Sequence, residues 1–115
     1  MSKLAKFLIE DLQGDWLKPS LKFFRSNDAY GYVIWLTLMY NYSEKENVSI
    51  ETIIKKVENY ASRRTIIDFI NKGVEANFII KKNSTDDKRK IFVEPSDTTI
   101  KEYEEWSNEF IKSVV

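Results

Sequence analysis

The sequence predicts a mainly α fold carrying one small β-hairpin, and three observations within Ser62–Lys90 predict it. Ser62 is a good helix N-cap. After it, Ile66, Phe69, Ile70 and Val74 recur at helical spacing, so one face packs while Arg63, Arg64, Asp68 and Asn71 stay outside. Asn77 tolerates a left-handed backbone and suits a helix stop. Beyond it, Phe78-Ile79-Ile80 and Ile91-Phe92-Val93 are short β-prone runs, separated by the polar, turn-rich segment Asn83–Lys90. A capped helix followed by a basic hairpin is the outline of a winged helix-turn-helix, here with N- and C-terminal flanking helices.

Taken in order, Lys3–Leu12 places Leu4, Phe7, Leu8 and Leu12 on one stripe of a short amphipathic helix. Gly14 ends it, and Trp16, Leu17 and Pro19 form a linker. Ser20–Phe24 is a further helical turn. Ser26 or Asn27 caps the next helix, with Asp28 near its positive end. That helix, about Asp28 to Tyr42, is apolar around most of its circumference and is the expected core helix. Ser43–Asn47 is a polar connector. Ser49 caps a helix from about Ile50 to Asn59, with Ile50, Ile53, Ile54 and Val57 facing inward, and Tyr60-Ala61 turns the chain into the second helix of the pair. Gly73 within that second helix costs roughly 1 kcal/mol relative to Ala; close approach of a neighbouring backbone would explain it. Pro95 ends the second strand. Asp97 or Ser96 then caps a last helix whose Ile100, Tyr103, Trp106, Phe110 and Val114 form a stripe opposite Glu102, Glu104, Glu105 and Glu109.

The 115 residues read as one domain, with the helix-turn-helix at about 49–77, the wing at about 78–94 and terminal helices at about 3–12 and 97–114. No apolar run approaches the roughly 20 residues that span a bilayer. The start carries no basic-then-apolar leader, so a cytoplasmic location is expected. Absence of cysteine and histidine removes disulfides, thiolate redox chemistry, the usual general base and the commonest transition-metal ligands. No enzyme activity and no cofactor are therefore expected. Net charge is zero but unevenly spread: Ser62–Lys90 holds eight Lys/Arg against four Asp/Glu, whereas Ile91–Val115 holds two against six. A basic centre with an acidic tail leaves one face attractive to phosphate.

The segment resembles the MarR family of winged-helix transcription regulators. The recognition helix there opens with Ser-x-x-Thr, here Ser62 and Thr65; an apolar pair leads into the first wing strand, here Phe78-Ile79; and the wing carries Asp-x-Arg, here Asp87 and Arg89. The resemblance implies a homodimer bound to double-stranded DNA. It further implies that Asp87 braces the wing while Arg89 reaches the backbone or minor groove, and that terminal helices interlock across the dimer. A small anionic aromatic effector belongs to the same expectation, for which Trp16, Phe23, Phe24, Trp35 and Tyr40 are candidates, though at these spacings such residues are more often plain core.

For the DNA contacts, Arg63, Arg64 and Thr65 occupy the first turn, the end that enters a major groove, where Arg pairs with guanine and Thr touches a thymine methyl. Ser62 opens that turn and Asn71 assists. Lys72, Lys82, Ser84, Lys88, Arg89 and Lys90 are the expected phosphate or minor-groove contacts. The competing readings are a solvated surface helix and a charged hairpin that resists edge-to-edge pairing. Asp68 opposes phosphate binding, and orienting Arg64 one turn earlier is its favoured role. Leu4, Phe7, Leu8, Tyr103, Trp106 and Phe110 are the candidate dimer interface, against an intramolecular covering of the core. The rival to DNA binding is a protein-interaction module built on the same winged helix, in which the acidic, aromatic tail binds a partner.

Overall fold

A computed structural model describes residues 2–13, 18–25, 29–86 and 89–115. The elements run α1 Ser2–Gln13, α2 Pro19–Arg25, α3 Ala29–Ser43, β1 Val48–Ser49, α4 Ile50–Val57, α5 Arg63–Glu75, β2 Ile79–Asn83, β3 Ile91–Pro95 and α6 Asp97–Val114. The expected turns around Gly14 and Trp16, the caps at Ser26 or Asn27, and the brace at Asp87 fall outside the described residues.

α3 is the central element, with Ile34, Trp35 and Leu38 almost wholly removed from solvent. An apolar helix surrounded by partners needs no polar face, and α2, α4, α6 and β3 supply those partners. Gly31 permits the tightest of these approaches: a Cβ there would collide with the backbone carbonyl oxygen of Phe24. α2 in turn presents Phe23, which stacks on Phe69 of α5 at 4.5 Å between ring centroids. The aromatic layer thus joins α2 to the second helix of the helix-turn-helix.

α4 begins where Ser49 accepts a hydrogen bond from the Thr52 backbone N–H at 3.1 Å. It ends at Val57, short of the expected Asn59. There the Tyr60 N–H bonds the Val57 carbonyl at 2.8 Å and tightens the chain into the turn. α5 ends in a Schellman-type arrangement. Asn77 takes φ 63°, its N–H bonds Val74 O, and the Phe78 N–H bonds Gly73 O at 2.8 Å. Gly73 faces side chains, not the expected backbone: an added Cβ would lie 2.6 Å from Ile79 Cδ1 and 3.1 Å from a Phe23 ring carbon.

The sheet has the order β1-β3-β2, all antiparallel, with Val48 opposite Val93 and Lys82 opposite Phe92. β1, a two-residue strand at the end of the polar connector, is too short to display alternation. α6 is capped by Ser96, whose hydroxyl accepts from the Thr99 N–H, so Asp97 is its first helical residue. The Phe78 carbonyl accepts two further bonds, from the Ser96 N–H at 3.0 Å and the Thr99 hydroxyl at 2.8 Å. The start of α6 is thereby fastened to the stop of α5.

Four helices meet at Asp11. Its carboxylate takes Arg25 of α2 at 2.8 Å and the Trp106 indole N–H of α6 at 3.0 Å. The Arg25 guanidinium lies over the Tyr32 ring of α3 at 4.3 Å. Between α2 and α6, Glu102 accepts from both the N–H and the hydroxyl of Ser20, at 2.8 and 2.6 Å. A carboxylate from a distant helix thus serves the first turn of α2, where the helix dipole favours negative charge.

Candidate nucleic-acid interface

The exposed tip of α5 is built by its cap. The Ser62 hydroxyl accepts from the Thr65 N–H at 3.2 Å and donates to the Thr65 hydroxyl at 2.9 Å, so these two side chains hold each other and the helix start. Arg63 and Arg64 follow, both exposed. They differ in their surroundings. Arg63 makes a two-pronged ion pair with Glu51 of α4, with NH1 to Oε2 at 2.9 Å and NH2 to Oε1 closer still. Arg64 has no hydrogen-bond or ion-pair partner among the described residues. The expected Arg64–Asp68 pair does not form, although both are described. An acid following a base by one turn is the less favourable order for a helical ion pair, and both side chains remain in solvent.

The Arg63 guanidinium holds the Glu51 carboxyl below the usual carboxylate range, mainly through its hydrogen bonds. Its charge and that of Lys55 help, while partial desolvation opposes them. The same hydrogen bonds raise Arg63 above the usual guanidinium value.

The wing closes against this tip. The Ser84 N–H bonds the Lys90 carbonyl at 3.1 Å, and the Asp86 N–H bonds the Ser84 hydroxyl at 3.2 Å. Lys82 crosses the strand pair to Glu94 at 3.0 Å. Lys81 donates to Asn71 Oδ1 of α5 at 2.6 Å, which ties the first wing strand to α5 through the Asn71 side-chain oxygen. Between α4, α5 and the wing lies a groove of about 280 Å³ whose lining includes Glu51, Arg63, Ile67, Lys81, Arg89 and Lys90. Ile67 packs against the core at the base of this groove, beneath the wing. Lys72 is exposed on α5. Lys88 lies outside the described residues.

The candidate dimer residues are largely engaged within the chain. Phe7 meets Trp106 at 6.3 Å and Phe110 at 5.7 Å, and Tyr103 and Trp106 both pack edge-on to Trp35 at 5.3 and 5.2 Å. Leu4 is half-buried. Leu8, Ile9 and Leu12 of α1 and Ile111 and Val114 of α6 remain exposed. Of the effector candidates, Phe24 and Trp35 are wholly buried and Phe23 is packed against the core. Tyr40 borders an open groove of about 560 Å³ shared with Tyr32, Asn41, Glu46 and Lys56, and Trp16 lies outside the described residues.

No protein-family model matches the sequence, and no curated protein matches it. The structure does have solved counterparts. A point mutant of MepR from a multidrug resistant S. aureus clinical isolate aligns with a TM-score of 0.62 at 16% identity, over 96% of this chain and 76% of that one. The fold is a MarR-like winged helix. BpsR of Bordetella bronchiseptica, whose DNA binding is regulated by 6-hydroxynicotinic acid, aligns over 96% of this chain and 83% of its own at 14% identity and a TM-score of 0.49.

Within the MarR-like frame, α3, α4 and α5 are the three helices of the winged-helix lobe and β2–β3 the wing. Sequence reasoning missed Glu51, Lys81 and the Asp11–Arg25 pair. Glu51 lies 12 residues before Arg63, and no local spacing joins them. Lys81 bonds Asn71 from a different element, ten residues on, and no helical or strand spacing links the two. Among the described residues, no helix is long and apolar enough to cross a membrane, and no group of three or more acidic side chains is gathered as a metal site would need.

Proposed function

We propose that the chain is a sequence-specific, double-stranded-DNA-binding transcription regulator that works as a homodimer. The observation that carries this reading is that α5's exposed tip and the wing border one groove, with Arg63, Lys81, Arg89 and Lys90 on its walls and Arg64, next to Arg63 in the chain, exposed. An exposed helix start offers partial positive charge to phosphates. α5 enters the major groove tip first; Arg64 and Thr65 face base edges, while Lys72, Arg89, Lys90 and the remaining wing cations engage the backbone. A second copy, joined through the exposed apolar residues of α1 and α6, presents a second α5 to the next turn of the duplex.

Fluorescence anisotropy with labelled random-sequence duplexes at rising salt tests the reading. Each neutralised phosphate adds about −0.9 to the slope of log affinity against log salt. A slope worth several contacts, reduced by about 0.9 in Lys90→Ala, is expected. Absence of binding at low salt would overturn DNA binding and favour the protein-interaction reading, which the exposed Asp68 on the outer face of α5 supports.

A further inference from the structure

We propose that Glu51 is a positioning residue that withholds Arg63 from DNA phosphates, making Arg63 a fixed, charge-compensated donor at the tip of α5 and not a backbone anchor. The inference rests on the DNA-binding reading above and assigns a division of labour between the two adjacent arginines.

Glu51 is the second residue of α4 and Arg63 the first of α5, so their pair spans the turn of the helix-turn-helix at the end that meets DNA. Both side chains are about three-fifths exposed, 62% and 59%, and exposed pairs of this kind contribute little to stability. What the pair does is geometric. A carboxylate offers two oxygens to a guanidinium as a phosphate does, so Glu51 occupies the fork that a phosphate would otherwise take. Two of the five guanidinium donors are engaged and three are left for other acceptors. The pair also carries no net charge.

The surroundings sharpen the point. Among the described residues that line the groove, Glu51 is the one carboxylate, facing Arg63, Lys81, Arg89 and Lys90. In a groove that otherwise attracts phosphate, an acid aimed at one particular arginine weakens sequence-independent binding. The cation it cancels stands where base edges pass. Specificity is a difference of affinities, and lowering the non-specific term raises it.

The experiment compares the native chain, Glu51→Gln and the double variant Glu51→Gln/Arg63→Ala on random-sequence duplex, each confirmed folded by circular dichroism. In Glu51→Gln the freed Arg63 neutralises one further phosphate. The salt slope steepens by about 0.9, equivalent to a roughly three- to four-fold greater loss of affinity between about 50 and 200 mM salt. The double variant keeps the native slope, because neutralising Glu51 and removing Arg63 together neither releases a cation nor exposes a carboxylate to Lys81, Arg89 and Lys90. An unchanged slope in Glu51→Gln, or a slope flattened by about 0.9 in the double variant, overturns the proposal while leaving DNA binding intact. A native chain with no affinity for duplex overturns both.

Discussion

Asp11 and Arg25 form an ion pair at 2.8 Å with both side chains almost wholly shielded, 8% and 3% exposed. It joins α1 to α2, and through the other Asp11 oxygen to Trp106 of α6. Removing one partner of a buried pair leaves the other charge without compensation, which costs far more than the pair itself contributes. Asp11→Ala is therefore expected to lower stability by about 3–5 kcal/mol in urea unfolding. A loss below about 1 kcal/mol, the range of an exposed pair, would show that solvent reaches Arg25.

Gly31 supplies a prediction of opposite sign to helix propensity. Alanine is normally favoured over glycine within a helix by about 1 kcal/mol. Here the added Cβ meets the backbone carbonyl of Phe24, and backbone yields less readily than a side-chain end. Gly31→Ala should destabilise by about 1–3 kcal/mol, seen as a lower midpoint in thermal unfolding. A raised midpoint would mean that α2 and α3 separate at little cost.

The Glu51 titration provides a pH test. Its folded pKa is depressed by Arg63. The pair's contribution is therefore fully present above the pKa of an unpaired glutamate and fades as pH falls through the lowered value. In carbon-detected NMR, the Glu51 carboxyl should titrate at lower pH in the native chain than in Arg63→Ala. Coincident midpoints would mean that the pair does not persist in solution.

For self-association, Leu12 and Ile111 are decisive because both are exposed, 67% and 52%, and contribute nothing to the core. Sedimentation velocity should give a dimer for the native chain and a monomer for Leu12→Asp/Ile111→Asp, with unchanged circular dichroism. A native monomer at high micromolar concentration would remove the dimer from the proposed mechanism.

Much of the fold was legible because its signals are local. Ser49, Ser62 and Ser96 each cap a helix within three residues of the N–H they serve, and Asn77 stops α5 through its own backbone. β1 escaped notice because its two residues are defined by β3, far along the chain. At the candidate interface, the basic residues of α5 and the wing could be read from composition. Which of them are engaged could not be. Arg63 is held by Glu51 and Asn71 by Lys81, across turns and strands that no periodicity links. The aromatic stripe of α6 was visible, but its use against Trp35 and Phe7 within the chain depends on where α1 and α3 lie.

The two bonds that the Phe78 carbonyl receives from Ser96 and Thr99 have a mechanical meaning. α6 is a rod of 18 residues, about 27 Å long at 1.5 Å per residue, and its root is bolted to the residue that follows the stop of α5. Displacing that root therefore moves the residue next to the α5 stop or breaks both bonds. The last helix and the helix proposed to read DNA share one anchoring carbonyl.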